Sequence, residues 1–350
     1  MFIHHPPAGN YHYAPETLAY LGENSLLYQR ASRIKINQLI LGLIADGVWP
    51  KIYQLVIYAS PSGYSYPGNY PDLTQALKTL KQQPWGPQNV GAGLANSTRY
   101  SEHPSGYYPK FTTFRGFNLN SADNRFARPG RWPMFGNTIV NSNFVADIPG
   151  LINDFSFGVW SLSDSQTDGG DVGVTDWGED YDFNTSAYSH NTEAGWGLKL
   201  RTTAGNLRYR VNSETWRDIP SATSKGFFVA SRSSSSAMNV FRNGVQIDAV
   251  AEPSKPLSGT SALMGLNLHQ MAGQNETYAC DRYFVGMTNE RPNGLFRNAA
   301  GGVAMHPQRS NREYCAHFFG QGLTATDQAN LFNRLKTYLL THLSASDLGV

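Results

Sequence analysis

The chain has 350 residues, with 34 Gly, 19 Pro, 13% aromatic and 15% charged residues, and a formal net charge of +2. It is long enough for a large core, poor in charge against a usual share of about a quarter, and rich in turn formers. That mix suits a β-rich extracellular or virion protein better than a helical cytosolic enzyme. Near-neutrality advertises no basic face, which argues against nucleic-acid binding, since phosphate contacts need clustered Lys and Arg.

Residues 1–30 mix Pro, Tyr, His and Asn without a sustained period and read as an irregular arm. Two readings are open, an attachment segment lying along a neighbouring subunit or a frayed terminus. The stretch has neither a basic n-region nor an apolar h-region, and no apolar run approaches the width of a bilayer. Neither a signal peptide nor a membrane span is expected. From Ser32 to Ala45, Ile36, Leu39, Ile40 and Leu43 are spaced by three and four, which predicts an amphipathic helix capped by Ser32 and ended by Gly47 and Pro50. Ile52 to Tyr58 is rich in β formers and predicts a strand. Together they suggest a small α/β region within 31–109, packed on a main domain. Its remainder, Ser60 to Pro109, scatters prolines among Gly and Tyr, with only Leu73 to Gln82 resembling a short helix. A loop of that length points to a contact with another subunit.

From residue 110 to 350 strand signals recur between Gly, Asn and Ser clusters. They fall at Lys110–Leu119, Arg125–Ala127, Asn137–Val140, Phe155–Leu162, Gly195–Thr202, Leu207–Val211, Leu263–Leu268, Tyr278–Met287 and Tyr314–Phe319. Short strands in such a series argue for a two-sheet sandwich. Within Gly226 to Val250, Ser233 to Ser236 is a polar turn and Asn243-Gly244 a type I′ turn signal. The alternation predicts a hairpin burying Val240, Val245, Ile247 and Ala249, with Arg242, Gln246 and Asp248 on the other face. Thr324 to Thr341 reads as a closing helix, with Thr324 as N-cap and Asp327 three residues on. Its apolar stripe is Leu331, Phe332, Leu335, Tyr338 and Leu339.

The pattern of Gly226 to Val250 (FFVASR, a serine run, then FRNG between apolar residues) resembles the late hairpin of laminin-G/concanavalin-A-like domains in tailed-phage and prophage structural proteins. Ile40–Ala59, Phe111–Phe126, Phe155–Asp164 and Phe318–Tyr338 are similar to the same proteins in the same order. The resemblance implies a mainly β protein, a concanavalin-A-like (jelly-roll) β-sandwich with a small N-terminal α/β region and a C-terminal helix. It implies a virion component assembled in the host cytoplasm, with other virion proteins as partners. Symmetric repetition of virion components further implies a homo-oligomer.

Candidate chemistry concentrates in Asp164 to Asp182, which holds carboxylates at 164, 168, 171, 176, 179, 180 and 182. Many laminin-G-like domains hold calcium at a loop rim, and Asp168, Asp171 and Asp176 are the first candidates here. The spacing nevertheless fits no fixed calcium loop, so a solvated acidic loop stays open. Trp177 and Tyr181, with Asp176 and the nearby Trp196 and Trp216, are candidates for stacking on and bonding a host-surface glycan. A loop anchor (Trp177) and core packing (Trp160, Trp196) are the alternative. Glu179-Asp180-Tyr181-Asp182 has the wrong offsets for a sandwich glycosidase, and no Gly-x-Ser-x-Gly elbow occurs. The nine His do not cluster in sequence. Cys280 and Cys315 are either two buried thiols or a bridge formed within or between chains. The expectation is a non-enzymatic structural and contact protein with no required cofactor, calcium apart. A lectin-like receptor-binding module is the alternative, and a glycan depolymerase the third reading.

Overall fold

The computed structural model describes residues 12–21, 30–59, 79–82, 110–112, 114–118, 153–167, 171–175, 181–182, 187–188, 195–255 and 312–350. Short strand segments between 268 and 309 are also described. The expected strands at Arg125–Ala127 and Asn137–Val140 lie outside these residues, as does most of Ser60–Pro109.

The protein is mainly β with antiparallel pairing and few helices. Among the described residues, fourteen strands form two large sheets: β1 Ile52–Ile57, β2 Thr79–Gln82, β3 Lys110–Thr112, β4 Gly116–Asn118, β5 Phe155–Ser161, β6 Val172–Thr175, β7 Gly195–Lys199, β8 Asn206–Ser213, β9 Arg217–Pro220, β10 Gly226–Ser234, β11 Ala237–Arg242, β12 Val245–Ala251, β13 Phe284–Val285 and β14 Glu313–Gly320. The nine-stranded sheet runs β12-β11-β10-β5-β14-β1-β2, with the β3–β4 hairpin joined to β14. The five-stranded sheet runs β9-β8-β7-β6-β13. Helices α1 (Pro15–Leu21), α2 (Arg30–Ala45), α3 (Ala325–Leu339) and α4 (Ala345–Leu348) complete the described elements used below.

Alternation along β5 and β10 assigns the two faces of the larger sheet. Trp160, Phe227, Val229 and Phe318 lie with the helices in one apolar cluster that also holds Ile36, Leu43, Leu331 and Leu335. Trp160 stacks on both Phe227 and Phe332, at centroid distances of 5.2 and 5.5 Å, and its Nε1 donates to the Leu348 carbonyl. Residues of the other parity, Phe155, Phe157, Val159, Phe228 and Ala230, are also buried. From that face the buried side chain of Arg232 reaches across to the Val211 carbonyl of β8, in the second sheet. Apolar side chains on both faces remove a large area from water, which is the main stabilising term of such a layered core.

Local signals explain the helices. In α3, Thr324 and Asp327 form the expected reciprocal cap, and Leu331, Phe332, Leu335, Tyr338 and Leu339 are buried. In α2, Ile36, Leu39, Ile40 and Leu43 are buried as expected, but Ser32 lies inside a helix that begins at Arg30. Gly42 lets α3 come close, since a Cβ there would fall 2.7 Å from Arg334 Cδ. Arg334 passes over it to donate twice to Asp46, at 2.7 and 2.9 Å.

Three further expectations are corrected. The strand at Ile52–Ile57 is no preface, because it pairs with β14 and β2 inside the main sheet. Thr79–Gln82 is a strand at the edge of that sheet, where backbone pairing to β1 overrides a helical pattern. The Asn243-Gly244 turn forms as expected, with φ of 52° and 77°. The return strand it leads to, however, does not bury Val245, Ile247 and Ala249. Val245 and Ile247 are 66% and 44% exposed, and Ala249 is exposed too. A bulge between Val240 and Phe241 shifts the register, β12 is the edge of the sheet, and Asp248 turns to accept from Tyr209 Oη and Arg217.

His317 lies wholly inside the fold, its Nδ1 2.6 Å from Tyr58 Oη, and burial pushes its pKa down from 6.5 to about 3. Between those values the unfolded chain holds a proton that the folded chain refuses, so stability rises with pH. The contribution is complete above about pH 6.5 and is lost as pH falls towards 3, at up to about 1.4 kcal/mol per pH unit. Urea unfolding between pH 7 and pH 4 is expected to show a slope in His317→Gln that is shallower than wild type by about one proton. Identical slopes would contradict this account.

Candidate functional site

Of the acidic stretch, the side chains of Asp164 and Asp171 are described; Asp171 is engaged inside the fold, whereas Asp164 is exposed and bonds at the surface. Asp171 precedes β6 and is completely buried. Arg312 Nη1 donates to its two oxygens at 2.7 and 2.8 Å, Tyr314 Oη donates to Oδ1, and the Leu200 N–H donates to Oδ2 at 2.7 Å. Arg312, equally buried, donates through Nη2 to the carbonyls of Ser165 and Arg201. Burial works against the guanidinium charge, but the Asp171 carboxylate and Tyr314 raise its pKa. Asp164 accepts from the Ser224 N–H and from Arg201 Nη1, and sits below the usual carboxylate range. Burial opposes that shift, and the Ser224, Thr223 and Arg201 bonds outweigh it. A carboxylate bonded on both oxygens by Arg, Tyr and an amide has no lone pair turned to an ion, so Asp171 works as an internal anchor.

Asp168, Asp176 and Trp177 lie outside the described residues, as does Cys280. Tyr181 lies in a short ladder opposite Tyr188. Cys315 is buried in β14, and burial holds its thiol well above the ordinary range, an inert setting.

The structure does gather one aromatic–cation cluster, around Trp216 in the turn between β8 and β9. Register places Arg208 opposite Lys199 and Arg210 opposite Gly197, on the face of the five-stranded sheet opposite to the buried Leu198–Tyr209 pair. Gly197 leaves room for the indole, since a Cβ there would lie 2.7 Å from Trp216 Cη2. Around that ring, Arg210 Cζ lies 4.6 Å, Lys199 Nζ 5.3 Å and Arg208 Cζ 5.5 Å from the centroid. An indole face draws cations through its quadrupole. Lys199 and Arg210 are 3% and 4% exposed, whereas Arg208 and Trp216 are part-exposed. Trp216 was legible as a candidate in the sequence, but its three cations were not. Their signal is the period-two spacing of Arg208 and Arg210 on one strand with Lys199 on its neighbour.

No family model matches the sequence, and no curated protein matches it. Among solved structures, similarity is found to Trypanosoma rangeli sialidase in complex with sialic acid, at 10% identity over 53% of this chain and 24% of that one, with a TM-score of 0.31. Domain 4 of AbnA, a GH43 extracellular arabinanase from Geobacillus stearothermophilus in complex with arabinotriose, is similar at 15% identity over 51% of this chain and 66% of that one, with a TM-score of 0.28. The botulinum neurotoxin serotype D/C VPI 5993 binding domain is similar at 14% identity over 56% and 39%, with a TM-score of 0.31. The chain thus spans about a quarter of the sialidase's length. At TM-scores this low the likeness bears on no functional statement about this chain.

If Asp171 answers to Arg312 rather than to an ion, Asp171→Asn strands a buried guanidinium and costs about 3–5 kcal/mol. The drop in melting temperature is expected to be the same in EDTA and in millimolar calcium. A loss seen only with calcium present would restore the metal reading.

Proposed function

We propose that the chain is a non-enzymatic structural and contact component of a tailed-phage particle, built on a concanavalin-A-like jelly-roll sandwich and repeated as a homo-oligomer among other virion proteins. The observation that carries this is where the buried charge goes. Asp171, Arg312 and Arg232 are completely buried, and their bonds run to groups inside the fold that tie one sheet to the other. Buried ionic groups employed this way favour a rigid scaffold, and what such a scaffold offers is its surface. Reaction chemistry would instead call for titratable groups facing a cleft.

A second reading, a lectin-like module for host-surface glycan, is favoured by the Trp216 cluster, because an accessible aromatic ring among polar groups suits saccharide contact. Both readings concern non-covalent contact and are compatible with each other.

The particle role is tested by expressing the tagged chain during lytic growth of a phage that carries its gene and separating particles from free protein on a density gradient. The chain is expected in the particle band at a copy number shared by symmetry-related sites, and the isolated protein is expected to sediment as an oligomer. A chain found only in the free fraction, sedimenting as a monomer, would refute the reading.

A further inference from the structure

We propose that Asn243 is a site of spontaneous deamidation whose rate is set by α4, and that its conversion to a carboxylate releases α4 from the apolar cluster beneath it. The inference stands apart from the particle role, because it needs only water and the residues around one hairpin turn.

The reacting groups are neighbours in the chain. The Gly244 backbone nitrogen attacks Asn243 Cγ, and a new C–N bond forms as the Cγ–Nδ2 bond breaks. Ammonia leaves with the amide proton of Gly244. Water then opens the five-membered imide at either carbonyl, giving an aspartyl or an isoaspartyl residue. Water is taken up and ammonia lost, with no change of oxidation state. Gly244 has no side chain to hinder the approach, and its N–H makes no hydrogen bond among the described residues. Asn243 and Gly244 are both part-exposed, so water reaches the turn.

What holds the reaction back is the Asn243 amide. Its Oδ1 accepts from the Phe227 N–H and its Nδ2 donates to the Gly349 carbonyl, each at 2.9 Å. Reversing the amide would set donor against donor and acceptor against acceptor, so this orientation is the one the surroundings select. Gly226 makes room for it, since a Cβ there would lie 2.7 Å from Asn243 Oδ1. Swinging Cγ onto the Gly244 nitrogen requires these bonds to break.

The two bonds are not equally durable. The Phe227 N–H belongs to β10, which is paired on both sides, whereas Gly349 is the C-cap of the four-residue α4. So short a helix has little stability of its own. It keeps its place through buried Leu348, whose carbonyl accepts from Trp160 Nε1, through the Asp347–Arg115 ion pair, and through the reciprocal Ser344–Asp347 cap. Local opening of such a segment is far more frequent than global unfolding, and a modification slow beside reclosing follows the open fraction. Deamidation of Asn243 therefore tracks the opening of α4.

Conversion acts back on α4. A carboxylate keeps an acceptor for the Phe227 N–H but replaces the donor with a second oxygen, which faces the Gly349 carbonyl. Two acceptors then repel where a hydrogen bond stood. An isoaspartyl linkage lengthens the main chain within the two-residue turn and disturbs its geometry. Either product loosens α4 and uncovers the apolar surface that Leu348 shares with Trp160.

The test incubates the full chain at mildly alkaline pH, well below its melting temperature, and follows the peptide containing residue 243 by mass spectrometry. The folded protein is expected to convert at least about tenfold more slowly than the same chain in urea. Asp347→Ala, which removes the α4 cap and its bond to Arg115, should convert about fivefold faster than wild type. If that variant fails to fold, Ser344→Ala, which removes the cap alone, gives the same comparison. Lys51→Gln, which breaks an ion pair at the start of α3, should leave the rate unchanged. Asn243→Asp supplies the product directly, and amide hydrogen exchange at 344–350 should rise about fivefold in it. The proposal is overturned by equal conversion in folded and urea-treated chains, by equal conversion in wild type and the cap variants, or by the same acceleration in Lys51→Gln. Wild-type exchange at 344–350 in Asn243→Asp would overturn the release of α4.

Discussion

The contact on which the layered structure depends is the buried ion pair between Asp171 and Arg312. Each residue stands immediately before a strand, Asp171 before β6 of the smaller sheet and Arg312 before β14 of the larger. Their bond therefore fixes where the two sheets start relative to each other. Removing two charges from water is costly, and attraction offsets that cost only when the remaining bonding positions are satisfied. Here Tyr314 and the Leu200 amide donate to the carboxylate, and the Ser165 and Arg201 carbonyls accept from Arg312 Nη2.

A second buried guanidinium acts at the opposite end of the sheet. Arg232 pairs in register with Phe155, at the start of β5, whereas Tyr314 pairs with Ser161, at its end. Arg232 donates to the Val211 and Glu252 carbonyls, and burial lowers its pKa while Glu252 opposes that shift. One end is thus pinned by an ion pair and the other by main-chain acceptors. Apolar surface between them gives cohesion but little direction, and the arginines fix register.

The helical layer shows the same division between cohesion and registration. The apolar stripes of α2 and α3 cover the outer side of the large sheet, while Arg334–Asp46 and Lys51–Asp327 set how the helices lie. The end of the chain is also secured. Asn243, at the hairpin turn, accepts from the Phe227 N–H and donates to the Gly349 carbonyl. On the five-stranded sheet, Lys199, Arg208 and Arg210 are set around the Trp216 ring.

Local chemistry by itself determined the elements whose causes are local. The α3 cap at Thr324 and Asp327, the apolar spacing of α2, the Asn243-Gly244 turn and the dense strand runs at Phe155 and Gly226 were all legible, because each depends on residues a few positions apart. What only the tertiary structure decided is pairing across long separations. Asp171 read as one carboxylate in an acidic run until the fold brought Arg312 to it from 141 positions away. Val245 and Ile247 fit a buried face by alternation, yet β12 became a sheet edge and left them exposed, because no period in a strand says which sheet neighbour it will lack. Trp216 was visible, but its meaning depended on two other strands placing Lys199, Arg208 and Arg210 around it. Side-chain periodicity records which face a residue is on, and only chain folding settles what that face meets.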